Sequence, residues 1–390
     1  MTFEFETEDI QEGEAHLTVP KEHGRKGPGK ATRLPFFNRA NRMARDFSVL
    51  TLAAAKRKED VLDGLAGLGA LSVRWAKETA AGPSFVANEI NPVSVKLIER
   101  NLEQNGVEGV LVLRRRLVAL LSESTFDYID IDPYGSPLPY LDAAWQSIRR
   151  GGILGVTATD TAPLCGAYPK ACLRHYGART EEVPFAQEMG LRIFLGALVR
   201  SAARLDWAAR PLFACHGGHY FKAYLHCEEG SGRADDNLEK MSCIRFERGS
   251  GERCIDPEGR IGPLWGGPLW DSVWVNGLTP LVSTSAETVG YLDLARTAAS
   301  APGPHYTTDD LASRWKLAPP KRRHLLIALQ AAGHLADPSP FSASGFHTDA
   351  PIEAIRRTFL TRNSSFEPDN TLGRGAPRTS PPSRQTDTGL

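Results

Sequence analysis

Long apolar runs are missing from this chain. No uninterrupted stretch reaches the roughly 18 residues that a membrane-spanning helix requires, so no span is expected. Cysteine is scarce: six in 390 residues (Cys165, Cys172, Cys215, Cys227, Cys243 and Cys254) exclude a disulfide scaffold and fit free thiols in a reducing cytoplasm. Net charge is absent as well, because 46 bases balance 46 acids, and the whole-chain balance announces no nucleic-acid partner. The first ten residues are acidic and hold no apolar core segment, so no secretion signal is expected. No internal repeat is found. The length is sufficient for two domains with substantial cores.

Charge is present locally even though the total is zero. From Lys21 to Lys58 eleven bases face only two acids, Glu22 and Asp46, a local excess of nine that surrounds Phe36 and Phe37. A basic stripe with aromatics is the footprint of phosphate contacts and base stacking. A solvated basic loop is the competing reading.

Residues 1–30 read as irregular, with Gly24, Gly27, Pro28 and Gly29 marking an open approach. A helix is expected over Asn38 to Ala55. Strand and helix patterns then alternate: strands over Asp60 to Leu62, Ser84 to Ile90, Val110 to Leu113, Phe126 to Asp132 and Gly152 to Ala158. Helices are expected over Ala70 to Glu78, Pro92 to Asn105, Tyr140 to Arg150 and Phe185 to Leu205. Two further strands, Leu212 to Cys215 and Tyr220 to Cys227, flank His216-Gly217-Gly218-His219. This repetition predicts an α/β fold, a parallel doubly wound sheet with a late antiparallel hairpin at one edge. After Glu228 the run GSGRADDN reads as a linker, and residues beyond Arg362 have the composition of a disordered tail.

Three strand ends carry the chemistry. FDYIDIDPYGSP ends a buried strand in Asp132-Pro133-Tyr134-Gly135, a rigid turn at the carboxyl edge of the sheet, where open α/β folds bind ligands. A ring there can stack on a flat heteroaromatic substrate while the adjacent carboxylate accepts a proton from its exocyclic amine. An ordinary Asp-Pro turn is the bland alternative. Asp63-Gly64-Leu65-Ala66-Gly67-Leu68-Gly69 joins a strand to a helix but lacks the G-x-G-x-x-G spacing of a dinucleotide site and begins with an acid, which suits a cationic ligand better than a phosphate. Glu89, ending ANEINP, stands where an acid bonds the two ribose hydroxyls of an adenosine. Together they point to a methyltransferase that uses S-adenosylmethionine. An aromatic amine is a poor nucleophile, and hydrogen bonds from it to Asp132 and the Pro133 carbonyl would localise its lone pair.

The runs GPGKATRLPFFNRANRMARDFSVL, VLDGLAGLGALSVRWA, ANEINP, DYIDIDPYGSPLPYLDAA, TATDTAPLCGAYPKACLRHYGA, HYFKAYL, GPLWGGPLWD and FHTDAPIEAIRRTF resemble the tRNA guanine-26 N2-dimethyltransferases, in that family's order over roughly residues 10–360. The resemblance implies one or two methyl transfers from S-adenosylmethionine to N2 of a guanine in tRNA. It also implies a class I (Rossmann-like) methyltransferase domain followed by a smaller, family-specific α+β domain. The expected division is a methyltransferase domain with its basic arm over 1–230, a tRNA-binding domain over 231–362 and the tail over 363–390. Carried onto this chain, the resemblance makes Asp132 the proton acceptor and Phe36 and Tyr134 the pair stacking on guanine. It adds Arg45 and Arg74 to the cofactor site beside Asp63, Gly64, Gly67, Gly69 and Glu89. Arg45 could hold the methionine carboxylate bidentately or contact tRNA phosphate; Arg74 could equally form an ion pair.

Three departures stand out. Arg114-Arg115-Arg116-Leu117 replaces the Asp-Ala pair that reads adenine in the family, Phe36-Phe37-Asn38-Arg39 replaces FYNP, and single cysteines, Cys243 and Cys254, stand where two zinc-binding CxxC pairs are usual. Two thiolates do not complete a four-coordinate site, so no zinc is expected. The expected partner is tRNA, with no membrane, no obligate protein partner and a cytoplasmic location. Competing readings are a methyltransferase of another nucleobase or amide nitrogen, a tRNA-binding protein that has lost catalysis, and a nicotinamide-dependent oxidoreductase. Asp132, Glu89 and the glycine spacing argue against them.

Overall fold

The computed structural model describes residues 3–21, 35, 37–79 and 84–364, the side chains of 361–364 excepted. An antiparallel hairpin comes first, β1 (Thr7–Glu12) with β2 (Ala15–Pro20), turning at Gly13 where φ is +59°. Residues 7–20 are therefore ordered as strands, not irregular as the sequence suggested. Their alternation is masked by charge: β2 buries Ala15, Leu17 and Val19 in a cluster that includes Phe37, Leu97 and Ile98, while β1 leaves Asp9 exposed and Glu8 half-buried and buries its last acid, Glu12. Residues 22–34 and 36, and with them Arg25, Lys26, Lys30 and Arg33 of the basic run, lie outside the described residues.

After a 3-10 turn (Arg39–Asn41) and α1 (Arg42–Ala54), the alternating unit follows: β3 (Asp60–Asp63), α2 (Ala70–Glu78), β4 (Ser84–Asn88), α3 (Pro92–Gln104), β5 (Val110–Leu113), α4 (Leu117–Glu123), β6 (Phe126–Ile131), α5 (Leu138–Ser147) and β7 (Ile148–Ala158). Next come α6 (Thr161–Leu164), α7 (Pro169–Tyr176), α8 (Ala186–Ala203), β8 (Trp207–Gly217) and β9 (Tyr220–Glu229). Seven strands make one sheet in the order β5-β4-β3-β6-β7-β9-β8. Its first five are parallel and the β9-β8 ribbon is antiparallel, as the sequence predicts. Strand order reverses between β3 and β6, which opens a crevice at their carboxyl ends. Helix α4 was not anticipated; it is seven residues long and buries Leu117, Leu120 and Leu121.

The run expected as a linker folds instead into α9 (Ser231–Leu238), with Ala234 and Asn237 buried. Its glycines and aspartates mimic a loop composition, but tertiary packing overrides that weak preference. A three-stranded sheet follows, built from β10 (Met241–Phe246), β11 (Arg253–Ile255) and β12 (Ile261–Trp265) in the order β11-β10-β12, then α10 (Ser272–Gly277) and α11 (Ala286–Ala298). Trp265 and Trp270 are buried in the same core as the large sheet. A second core closes the described chain: β13 (Tyr306–Thr307), α12 (Thr308–Trp315), α13 (Arg322–Ala331), β14 (Ala336–Pro338), β15 (Gly345–Thr348) and α14 (Ile352–Ser364). Leu311, Leu325, Leu329, Phe346, Ile355 and Phe359 fill it. The tail expected to be disordered lies, from residue 365 on, outside the described residues.

The two cores meet at a stack of rings. Phe341 lies between His216 of β8 and His305, with centroids at 5.1 and 5.2 Å. Glu188 of α8, fully buried, accepts the His305 backbone N–H at 2.8 Å and pairs with Arg192 at 2.9 Å. No helix among the described residues is long and apolar enough to cross a membrane.

Candidate active site

Pairing across the sheet sets one row of side chains on a common face: Asp63 opposite Asp130, Asp130 opposite Gly155, Gly155 opposite Tyr224. Strand β6 is buried at all six positions although it holds two acids. Buried carboxylates need partners, and both have them. Asp127 is met by Arg57 at 3.4 Å and Arg149 at 3.1 Å. Asp130 receives the Lys222 ammonium of β9 at 2.6 Å on Oδ1 and a short hydrogen bond from the Ser48 hydroxyl on Oδ2. Tyr224 donates in turn to Ala44 O at 3.1 Å and Ser48 Oγ at 3.2 Å. A Cβ at position 155 would lie 2.9 Å from Asp130 Oδ2 and 3.1 Å from Tyr224, so only glycine leaves room for this network.

Asp132 follows β6 by one residue and is half-buried, with Pro133 buried behind it and Tyr134 49% exposed. The turn is held from β7: Gly135 N–H donates to Thr159 Oγ1 at 2.6 Å, and Thr159 N–H donates to Gly135 O at 2.9 Å. Tyr176 of α7 reaches the same loop, donating to Ser136 Oγ at 3.3 Å and to Asp160 at 2.5 Å. Burial pushes the Asp132 carboxyl up, the Lys222 ammonium opposes that, and Asp130 adds repulsion. Burial pushes Asp63 up to about 7 against a 2.7 Å hydrogen bond from Ser72, with Asp130 and Asp132 adding to the rise.

The glycine loop lies beside these acids. Gly67 and Gly69 have φ of +59° and +80°, and Gly69 opens α2. Gly64 leaves no room for a side chain: a Cβ would meet Asp130 O at 3.0 Å and Leu117 at 3.1 Å. Glu89 is half-buried and oriented by two backbone donors, Gly67 N–H at 3.1 Å and Asn91 N–H at 2.8 Å. Asn88 joins the loop to the next strand, donating to Gly64 O and Arg115 O at 3.1 Å and accepting from Arg115 N–H at 3.1 Å. The Arg115 side chain turns to Glu123 at 2.7 Å.

Two arginines occupy a separate ionic cluster. Arg45 holds Glu12 of the hairpin bidentately, both bonds 2.6 Å, while stacking 4.6 Å over Phe37. Arg74 is 1% exposed and faces three carboxylates: Asp46 at 2.7 Å, Glu78 at 2.7 Å and Glu12 at 3.3 Å. Glu12 thus bridges the arginines, and despite its burial their charges hold its carboxyl below the usual range. The structure brings Asp63, Gly64, Gly67, Glu89, Asp132 and Tyr134 to the carboxyl edges of β3, β4 and β6; Phe36 lies outside the described residues. Sequence reasoning missed Lys222 and Ser48. A lysine inside the otherwise apolar run Tyr220–Leu225 is a signal that could have found the first. Cys243 and Cys254 lie on neighbouring strands, β10 and β11, and among the described residues no group of three or more metal-ligating side chains gathers.

This donor set fits S-adenosylmethionine: acids for its cationic groups and ribose hydroxyls, and glycines where its bulk would lie close to backbone. The chain matches the family model described as N2,N2-dimethylguanosine tRNA methyltransferase over residues 13–359. It is 35% identical to a tRNA (guanine(26)-N(2))-dimethyltransferase of Thermococcus kodakarensis, with 89% of this chain and 97% of that protein covered. It is 36% identical to the Natronomonas pharaonis protein of the same name, covering 89% and 99%. The fold superimposes on Trm1 from Pyrococcus horikoshii in complex with S-adenosyl-L-methionine with a TM-score of 0.79 at 31% identity, covering 90% and 99%.

Proposed function

The chain belongs to the N2,N2-dimethylguanosine tRNA methyltransferase family, and from that membership we propose how its residues carry the reaction. It is an S-adenosylmethionine-dependent tRNA (guanine-N2)-methyltransferase, adding one or two methyl groups to N2 of guanine 26. Asp132 accepts the proton that the amine releases, and Pro133 O accepts the amine's other N–H. The observation that carries this reading is the placement of Asp132: a half-buried carboxylate on a turn fixed by Thr159, beside an exposed Tyr134. Tyr134 stacks on the guanine, with Phe36 as its counterpart across the base. A base in tRNA must leave its stack to reach this turn.

When bound, S-adenosylmethionine supplies an electrophilic methyl group at its sulfonium. Glu89 would receive the ribose hydroxyls, Asp63 would face the cationic end, and Gly64, Gly67 and Gly69 would give close approach to the backbone. Arg45, which holds Glu12 in the structure, would be the residue to hold the methionine carboxylate, and Arg74 would support it through their shared partner Glu12. Orientation supplies much of the rate because methyl transfer needs an aligned nucleophile and little else. Residues 231–362 contribute tRNA contacts away from the base. The free state of all six cysteines and the tRNA substrate support a cytoplasmic location.

The test is methyl transfer from labelled S-adenosylmethionine to an unmodified tRNA transcript, followed by nucleoside analysis. Wild type is expected to yield N2-methylated guanosine; Asp132→Ala, or a transcript with adenine at position 26, is expected to yield none. Methylation that persists in Asp132→Ala overturns the assignment of the base. A wild type that binds tRNA without transferring methyl overturns the catalytic reading.

A further inference from the structure

We propose that Lys222 is a positioning residue for methyl transfer, acting through its ion pair with Asp130 to keep Asp132 in its proton-accepting form. The inference rests on Asp132 as the base. Lys222 sits in β9 among Phe221, Ala223, Tyr224 and Leu225, all buried, and its own side chain is 3% exposed. Replacing such a buried pair by apolar side chains of similar volume often costs nothing in stability, so fold alone gives little reason for an ammonium here. Its geometry points to an electrostatic task. Lys222 is opposite Thr157, one row beyond Gly155, and its ammonium meets Asp130 Oδ1 at 2.6 Å. Ser48 orients the other oxygen, so the Asp130 carboxylate has both atoms fixed.

Asp132 lies two residues beyond Asp130, and charged groups on several elements act on it. Asp130 lies on its own strand, Asp63 on β3, Lys222 on β9 and Arg45 on α1, with the Thr157 hydroxyl on β7. Arg45 is already engaged by Glu12. Three carboxylates at this edge repel one another, and a carboxylate beside uncompensated like charges takes up a proton. Lys222 is the compensation that β9 brings.

The experiment is the pH profile of single-turnover methyl transfer to an unmodified tRNA transcript for wild type, Lys222→Met, Asp130→Asn and the double variant. S-adenosylhomocysteine binding and thermal melting verify the fold of each. In Lys222→Met the acidic limb is expected to move up by about one pH unit or more. At a fixed pH on that limb the rate then falls about tenfold for each pH unit the limb has moved, and it recovers as pH rises. Asp130→Asn removes a like charge while keeping the ammonium, so its limb should move down; the double variant should return towards wild type. A limb unmoved by Lys222→Met, with equal loss at every pH, overturns the proposal and leaves Lys222 a structural role. Should Lys222→Met fail to fold, the Asp130→Asn profile decides: an unmoved or raised limb overturns it. Full activity in Asp132→Asn would instead defeat the underlying assignment of the base, a distinguishable failure.

Discussion

Burial brings the Asp63 carboxyl up to about 7, so it changes charge near neutrality. A cationic ligand favours the carboxylate, so the sign follows directly: affinity for S-adenosylmethionine should tighten as pH rises from about 6 to 8, approaching tenfold per pH unit below the midpoint. Calorimetry in buffers of different ionisation enthalpy should show proton release on binding near neutrality. Asp63→Asn should bind more weakly and without pH dependence; a flat wild-type profile would remove Asp63 from the cationic end. At this scale the sequence was legible where chemistry and position coincide, as at Asp63, Glu89 and Asp132 on strand ends. Arg74 shows the limit. Its pattern on a helix fits a cofactor residue or an ion pair equally: Glu78 lies one turn away on α2, but the other two carboxylates around it come from β1 and α1, far away in the chain.

The turn after β6 depends on a neighbouring element for its shape. Thr159 bonds Gly135 twice, once through its hydroxyl at 2.6 Å and once through its backbone at 2.9 Å. Thr159→Val keeps the volume and deletes the acceptor, leaving the Gly135 N–H unsatisfied at a local cost of about 1–3 kcal/mol. We expect the single-turnover rate to fall roughly 10- to 100-fold with S-adenosylhomocysteine affinity unchanged. Equal loss of both would show that Thr159 supports the cofactor cleft as a whole. Among the elements, the parallel strands and their helices were legible from periodicity, but β1, β2, α4 and α9 were not. β1 and β2 are half-polar strands whose buried face shows only against α2, α3 and Phe37, and α9 carries a loop composition on a helical backbone. In each case a partner distant in sequence decides the outcome.

At the scale of the molecule, the joint between the two cores is sensitive to acid. Burial pushes His216 and His347 down to about 4, so both stay neutral in the fold, while in the unfolded chain they take up protons below about 6.5. Their contribution to stability is therefore intact above about 6.5 and is lost as pH falls towards 4. Glu188 acts in the same direction, since burial is outweighed by Arg192 and the histidines and its carboxyl is held low. Melting temperature should drop between about pH 7 and 5, and His347→Gln should flatten that slope while lowering stability at about pH 7.5. Parallel curves for the two proteins would exonerate His347. A carboxyl-terminal domain was expected from the family resemblance, whereas its anchoring was not legible, because His216 and Glu188 meet His305 and Phe341 from segments far away in the chain. The sheet order has a consequence for a chain made from its amino terminus. By the time Asp132 leaves the ribosome, the glycine loop, Glu89 and the base can already meet on β3, β4 and β6. The ammonium that answers Asp130 arrives only with β9, 92 residues later. A nascent chain can thus assemble the cleft for its cofactor well before it assembles the charge balance at the base.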